Sequence, residues 1–214
     1  MVPPTSRRSE TDPVSKHHHT ALETLLSRAS ADTLVKPAPK GEELEAILST
    51  AMRAPDHGKL RPWRMALVRG EARLALAERV VASMKRLDPN VPEQKIEKRR
   101  TRFSTMPLTI VLGMHLRPED KIPLLEQQLA VGAAAMNILN ALHAEGYGGL
   151  WVSGDIAYDP ELATELGFPP PHALAGFIFV GTPEKDRETP KRRSVAPYVA
   201  DWTGAPVSFE ADKQ

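Results

Sequence analysis

Ala130-Val131-Gly132-Ala133-Ala134-Ala135-Met136-Asn137-Ile138-Leu139-Asn140-Ala141-Leu142 is apolar nearly all round a helix and rich in small residues. It forms the middle of the longest helical stretch in the chain, Pro123 to Glu145. A surface helix needs one apolar stripe, so a helix that is apolar on every side must be covered on every side. In a chain of 214 residues that leaves two arrangements. Either the helix runs through the centre of the domain, or a second subunit covers part of it.

Working outward, Pro107 to Met114 is a continuous apolar run through Leu108, Ile110, Val111 and Leu112, the pattern of a central strand buried on both faces. Beyond the helix, Gly148 to Ser153 reads as a strand, Pro160 to Leu166 as a short helix, and Ala173 to Val180 as another apolar strand. Nearer the start, Trp63 to Val68 alternates, with Trp63, Met65 and Leu67 on one face and Arg64, Ala66 and Val68 on the other. Leucine spacing predicts helices over Thr20 to Ser30, Gly41 to Arg53 and Glu71 to Arg86, and Glu93 to Phe103 follows as a highly charged one. Glu42, Glu43 and Glu45 sit where the second of these helices favours anions. Pro37-Ala38-Pro39 forces an extended connection, and Pro55 ends the second helix. This interleaving is α+β, with helices flanking a central mixed or antiparallel sheet.

At ~100–200 residues per domain, the length suggests one domain, spanning residues 19–214, behind a tail over 1–18 of Pro, Ser, Thr and charge. From about residue 183 the chain is polar, Pro-rich and basic until Tyr198 and Trp202, an arm suited to wrapping over a partner subunit. Lys+Arg 28 against Asp+Glu 27 leaves a formal charge of +1, no electrostatic footprint for nucleic acid or a membrane surface. Cys 0 removes disulfide frameworks, thiolate nucleophiles and iron–sulfur clusters together. No apolar run approaches the ~18 residues of a membrane span, and the start lacks the apolar core of a secretory signal. A cytoplasmic protein is expected. Adjacent His17-His18-His19 point in different directions and read as solvated, and no His pair has the spacing of a metal-binding helix, so no metal is expected. Lys98-Arg99-Arg100 reads as a solvated helical face with interleaved Glu.

Neither a Walker A sequence nor a G-x-S-x-G elbow is present, and the Gly-Tyr-Gly-Gly run precedes its strand, with Trp151 where a dinucleotide fingerprint needs its last Gly. Three clusters remain. Ser27-Arg28-Ala29-Ser30 offers an Arg fork and a hydroxyl to a phosphate, or simply a basic helix end. Arg53-Ala54-Pro55-Asp56-His57, followed by Arg61-Pro62-Trp63, packs a cation, a carboxylate and an imidazole between prolines, as a site or a rigid turn. Gly146-Tyr147-Gly148-Gly149-Leu150-Trp151-Val152-Ser153-Gly154 allows close backbone approach to a flat ligand, or is a Gly-rich helix end entering a strand.

In order, with Pro37-Ala38-Pro39, the Ala-rich helix and Gly176-Phe177-Ile178-Phe179-Val180-Gly181-Thr182-Pro183, these clusters resemble the nitroreductase family. The likeness is narrowest to the small bacterial branch with the Arg-Ala-Pro-Asp-His signature, and covers Leu22 to Pro183. It implies a nitroreductase-like fold, an intertwined homodimer with C-terminal arm exchange, and FMN at the subunit interface. The implied activity is ping-pong hydride transfer from NADH or NADPH to a small-molecule acceptor, nitroaromatic or quinone-like, with the flavin N5 rather than a side chain carrying the chemistry. Carried over residue by residue, the phosphate grip falls on Arg28, Ala29 and Ser30, with Ala29 standing where the family has a second Arg. Arg7-Arg8-Ser9 is a copy of that motif at the wrong distance. Arg53 and His57 would reach the flavin from the partner subunit, and Trp151, Val152 and Ser153 would contact it from their own. Val152 replaces a position that relatives fill with Arg, and Lys191, Arg192 or Arg193 would offset the charge lost at Ala29. Ala141, Leu142, His143, Ala144, Glu145 and Gly146 match a nicotinamide-nucleotide segment. The departures at Ala29 and Val152 keep open a flavin-binding sensor or carrier without nitroreductase turnover, or a flavin enzyme of this fold with another reaction.

Overall fold

The computed structural model describes residues 21–185 and 191–209. The expected tail over 1–18, which holds Arg7-Arg8-Ser9, and the run His17-His18-His19 at its end lie outside the described residues. In chain order the elements are α1 (Ala21–Ser27), β1 (Leu34–Val35), α2 (Gly41–Ser49), β2 (Trp63–Val68), α3 (Ala72–Leu87), α4 (Glu93–Thr105), β3 (Leu108–Met114), α5 (Leu124–Ala144), β4 (Gly148–Val152), α6 (Pro160–Glu165) and β5 (Ala173–Pro183). The second helix is shorter than its sequence pattern, because Pro55 tightens its last turn, Thr50–Arg53, into a 3-10 helix.

Every strand pair is antiparallel. β2 pairs β3, β3 pairs β5, and β5 also takes β4 and, at its end, β1. The two residues of β1 were invisible to periodicity, and their pairing with Thr182 and Pro183 carries β5 past Val180. β3 is buried on both faces as its sequence requires. Leu108, Ile110 and Leu112 pack with α2 and α5, whereas Val111 joins Phe177 and Phe179 on the side of α3 and α4. Phe103 of α4 meets both of those phenylalanines edge-on, at 5.0 Å between ring centres. The β3–β5 register shifts between Leu112 and Gly113. A Cβ on Gly113 would lie 2.0 Å from the Phe168 ring, so only glycine fits there.

α5 lies with Ala130, Val131, Ala134, Ala135, Ile138 and Leu142 against the sheet. Its small residues bring the backbone close to the strands. The opposite line, Leu125, Leu129, Gly132 and Met136, has the spacing of one helical face, and its large members are 64%, 63% and 43% exposed. A single chain therefore covers one side of this apolar helix and leaves the other bare. α1 and the arm show the same feature, with Leu22, Leu25, Leu26, Tyr198, Val199 and Trp202 exposed. Residues 191–209 contain one short 3-10 turn, Ala196–Tyr198, and no strand. No helix among the described residues is long and apolar enough to cross a membrane.

Asp159 ties α6 to α3. Its carboxylate accepts from the Glu161 N–H at 3.0 Å, capping α6, and from Arg86 of α3 at 2.5 Å. Burial pushes this carboxyl up, but the Arg86 guanidinium and the Glu161 N–H that it accepts from hold it below its ordinary value. A carboxyl depressed by folding stabilises fully above about pH 4, and that contribution drains as pH falls through its lower folded value. Asp159→Asn is therefore expected to cost about 2 kcal/mol at neutral pH. The difference should narrow in urea denaturation near pH 3; a constant difference contradicts this account.

Candidate cofactor site

The end of β4 carries a cavity on each side, because successive strand residues point to opposite faces. Val152 and Ser153 line one of about 640 Å³, between β4 and α4. Trp151 and Ser153 line the other, of about 520 Å³, against Gln128 and Gly132 of α5. Ser153 belongs to both. The Trp151 indole N–H donates to the Ala175 carbonyl at 3.0 Å, crossing β5 where Gly176 adopts φ 125°. A Cβ on Gly176 would lie 2.4 Å from the Val152 carbonyl and 2.9 Å from the indole nitrogen, so this glycine makes room for the tryptophan.

The charged helix α4 does not behave as the uniformly solvated face its sequence suggested. Arg100 turns outward to Glu78, at 2.7 Å, and to Glu97. Lys95, Lys98, Arg99 and Arg102 fall on another face and line the larger cavity, opposite Met84, Leu87 and Val91. Arg102 also lies over the Phe179 ring, 5.3 Å from its centre. Composition hid this group; the spacing of the four cations at one to two helical turns was the available signal.

The other end of β4 gathers a second set. The Ala31 N–H donates to the Gly149 carbonyl at 3.2 Å, bringing Arg28 to Ser30 against the start of the strand. Arg192 reaches back from the arm, donating from Nη2 to the Arg28 carbonyl at 3.0 Å. Ser30 lines a small pocket of about 200 Å³ with Lys185 and two carboxylates, Asp32 and Glu184. Arg28 and Ala29 are half-buried, and Lys191 and Arg193 are exposed. At about 3.3 Å per residue, three steps of strand set this group roughly 10 Å from Val152. A ligand with a phosphate tail and a planar head thus finds cations at both ends of one strand.

The loop from Arg53 to Pro62 is held by side-chain contacts. His57 Nδ1 lies 2.7 Å from Glu126 Oε2, and the Asp56 carboxylate accepts from the Arg61 N–H at 2.7 Å. Lys59 and Arg61 hold left-handed backbones, φ 53° and 48°, which costs side-chain-bearing residues energy and is characteristic of functional loops. Asn137 of α5 donates to the Thr50 carbonyl at 3.1 Å and pins the preceding turn. Neither Arg53 nor His57 lines a cavity beside Ser153 in its own chain.

The sequence profile of the nitroreductase family matches residues 26–182. The chain belongs to the nitroreductase family. YdjA of Escherichia coli (strain K12), which carries a provisional NAD(P)H nitroreductase name, is 34% identical over 171 residues, covering 79% of this chain and 91% of YdjA. The crystal structure of a nitroreductase-like family protein from Bacillus cereus superposes with a TM-score of 0.75 at 25% identity, covering 89% of this chain and 100% of that one. A provisionally named nitroreductase from Desulfovibrio desulfuricans, solved in complex with FMN, superposes with a TM-score of 0.67 at 20% identity, covering 86% and 97%.

On this nitroreductase fold, the segment from Ala141 to Gly146 ends α5 and lines neither cavity beside Ser153. Leu142 is wholly buried in the core, and Ala141 packs against that core. His143 Nε2 lies 2.9 Å from the Ser27 hydroxyl, fastening α1 to α5. Ala144, Glu145 and Gly146 are exposed. No group of three or more His, Asp or Glu able to hold a metal occurs among the described residues.

Proposed function

We propose that this nitroreductase-family chain is an FMN-dependent NAD(P)H oxidoreductase, built as a homodimer with a flavin at each of two equivalent sites and reducing nitroaromatic or quinone-like acceptors. The observation that carries the reading is the pair of cation groups at the two ends of β4, joined by a strand whose last residues face open cavities. When bound, FMN supplies two-electron hydride chemistry, taking a hydride from the nicotinamide and passing it to the acceptor.

The chain's own residues do the positioning. Arg28 and Arg192 or Arg193 neutralise the phosphate, and the Ser30 hydroxyl donates a hydrogen bond to it. Trp151, Val152 and Ser153 present backbone and side chain to the planar ring. Arg99 and Arg102, half-buried in the larger cavity, favour the ring edge where negative charge collects on reduction. Arg53 and His57 meet the ring of the other copy, which accounts for a stiff, polar loop lying away from the cavities of its own chain.

The bare line of α5, together with α1 and the aromatic residues of the arm, supports dimerisation, with the arm reaching over the neighbour in this reading. Exposed apolar area on this scale is characteristic of interfaces. The relatives' NAD(P)H nitroreductase names and the FMN complex of a structural neighbour support the choice of donor and cofactor. For the nicotinamide nucleotide, Ala144, Glu145 and Gly146 are the accessible part of the segment from Ala141 to Gly146. Ala29 and Val152 each remove a charge that the resemblance expects, which favours a non-catalytic flavin carrier as the second reading.

Anaerobic stopped-flow absorbance separates the two. Bleaching of the flavin by NADH or NADPH and its recovery on adding a nitroaromatic supports the oxidoreductase; a bound flavin that neither reagent changes selects the carrier. Arg53→Ala should weaken FMN retention about tenfold, and Lys59→Ala, on the same loop, should leave it unchanged. Equal flavin content in both variants contradicts the role of the loop.

A further inference from the structure

We propose that Lys95 and Lys98 form an anion-reading rim over the larger cavity, so that the preferred electron acceptors are small aromatic molecules carrying a carboxylate or a comparable anionic group. This rests on the reading of that cavity as the flavin's working face.

The wall opposite the cations is apolar, through Met84, Leu87 and Val91, and suits the body of an aromatic ring. Arg99 and Arg102 are half-buried, whereas Lys95 and Lys98 are exposed at the mouth. Among the described residues, Lys95, Lys98 and Arg99 make no ion pair, whereas Arg100 holds Glu97 of α4 and Glu78 of α3. Two carboxylates, Asp88 and Asp155, also line the cavity, so its four cations exceed its carboxylates by two. Asp88 is turned to its own turn, accepting from the Asn90 N–H at 2.9 Å. The phosphate group of the cofactor has its own cations at the far end of β4, so the two lysines are left for a ligand that comes and goes. Ammonium groups on flexible stems are point charges that adapt to acceptors of different shape, unlike a guanidinium fork.

The test uses the purified, flavin-loaded protein and the double variant Lys95→Gln/Lys98→Gln. In calorimetric titration at low ionic strength, benzoate should bind about tenfold more tightly than benzamide to the unaltered protein, the effect of two exposed cations on one charge. The preference should vanish near 1 M salt, where the screening length is about 3 Å, and in the double variant. In steady-state kinetics the same substitution should raise KM for 4-nitrobenzoate about tenfold, with kcat and the KM for 4-nitrobenzamide unchanged.

Equal binding of benzoate and benzamide, or a preference that survives the double substitution, overturns the proposal. So does a rise in KM for NADH or NADPH in place of the acceptor, which would assign the lysines to the donor's phosphates. A lysine-dependent benzoate preference in a protein without nitroreductase turnover keeps the rim and removes the enzymatic reading. Turnover blind to acceptor charge does the reverse.

Discussion

Replacing Arg28 with alanine is expected to weaken FMN binding about a hundredfold, read from the return of free-flavin fluorescence on dilution. Charge-assisted hydrogen bonds to a phosphate contribute about 1.5–3 kcal/mol each, and a fork that makes two of them reaches the upper end of that range. At about 1.4 kcal/mol per factor of ten, 3 kcal/mol corresponds to that loss. Ala29 raises the stake, because the adjacent position adds no second cation. Ser30 and Arg192 remain in the variant, so binding is weakened and not abolished. The fold should tolerate the change, since the segment is held through backbone contacts, Ala31 to Gly149 and Arg192 to the Arg28 carbonyl. Unaltered FMN affinity in a folded Arg28→Ala protein would remove the phosphate from this end of β4.

The largest loss of stability is expected at Phe177. Its side chain is fully buried, pairs across β5 with Val111 on one side and Val152 on the other, and meets Phe103 edge-on at 5.0 Å. Truncation to alanine leaves a void in a rigid sheet–helix layer and should cost about 3–5 kcal/mol. Against a typical total of about 5–15 kcal/mol, that moves the urea midpoint far toward unfolding. Leu74→Ala is the control: Leu74 is 60% exposed on α3 and should change stability by no more than about 0.5 kcal/mol. Comparable midpoints for the two variants would contradict the packing described for α4 against the sheet.

Much of the fold was legible because burial on two faces leaves a strong pattern. The apolar run of β3 predicted a strand buried on both faces, and the alternation of β2 predicted which of its residues meet which layer. β1 escaped because two residues have no period, and β5 was read short for the same reason. Where the proposed site is local in sequence its residues were easy to group: Trp151 and Val152 end β4, Ser153 follows them, and the Ala31–Gly149 hydrogen bond brings Arg28 to Ser30 beside the start of that strand. It was not legible where helical geometry sorts charges. Lys98, Arg99 and Arg100 are adjacent in sequence, yet a turn of about 100° per residue sends Arg100 to Glu78 and the other two into a cavity. Nor does sequence distance reveal that Arg53 and His57 stay outside that cavity in their own chain.

The central claim is that two copies of the chain enclose the flavin between them. Sedimentation equilibrium of the FMN-loaded protein, followed at both the protein and the flavin absorbance bands, tests it most directly. The account predicts a single species of two chains carrying two flavins, with colour lost as dilution separates the chains. Flavin sedimenting with a lone chain, at undiminished occupancy, would contradict it.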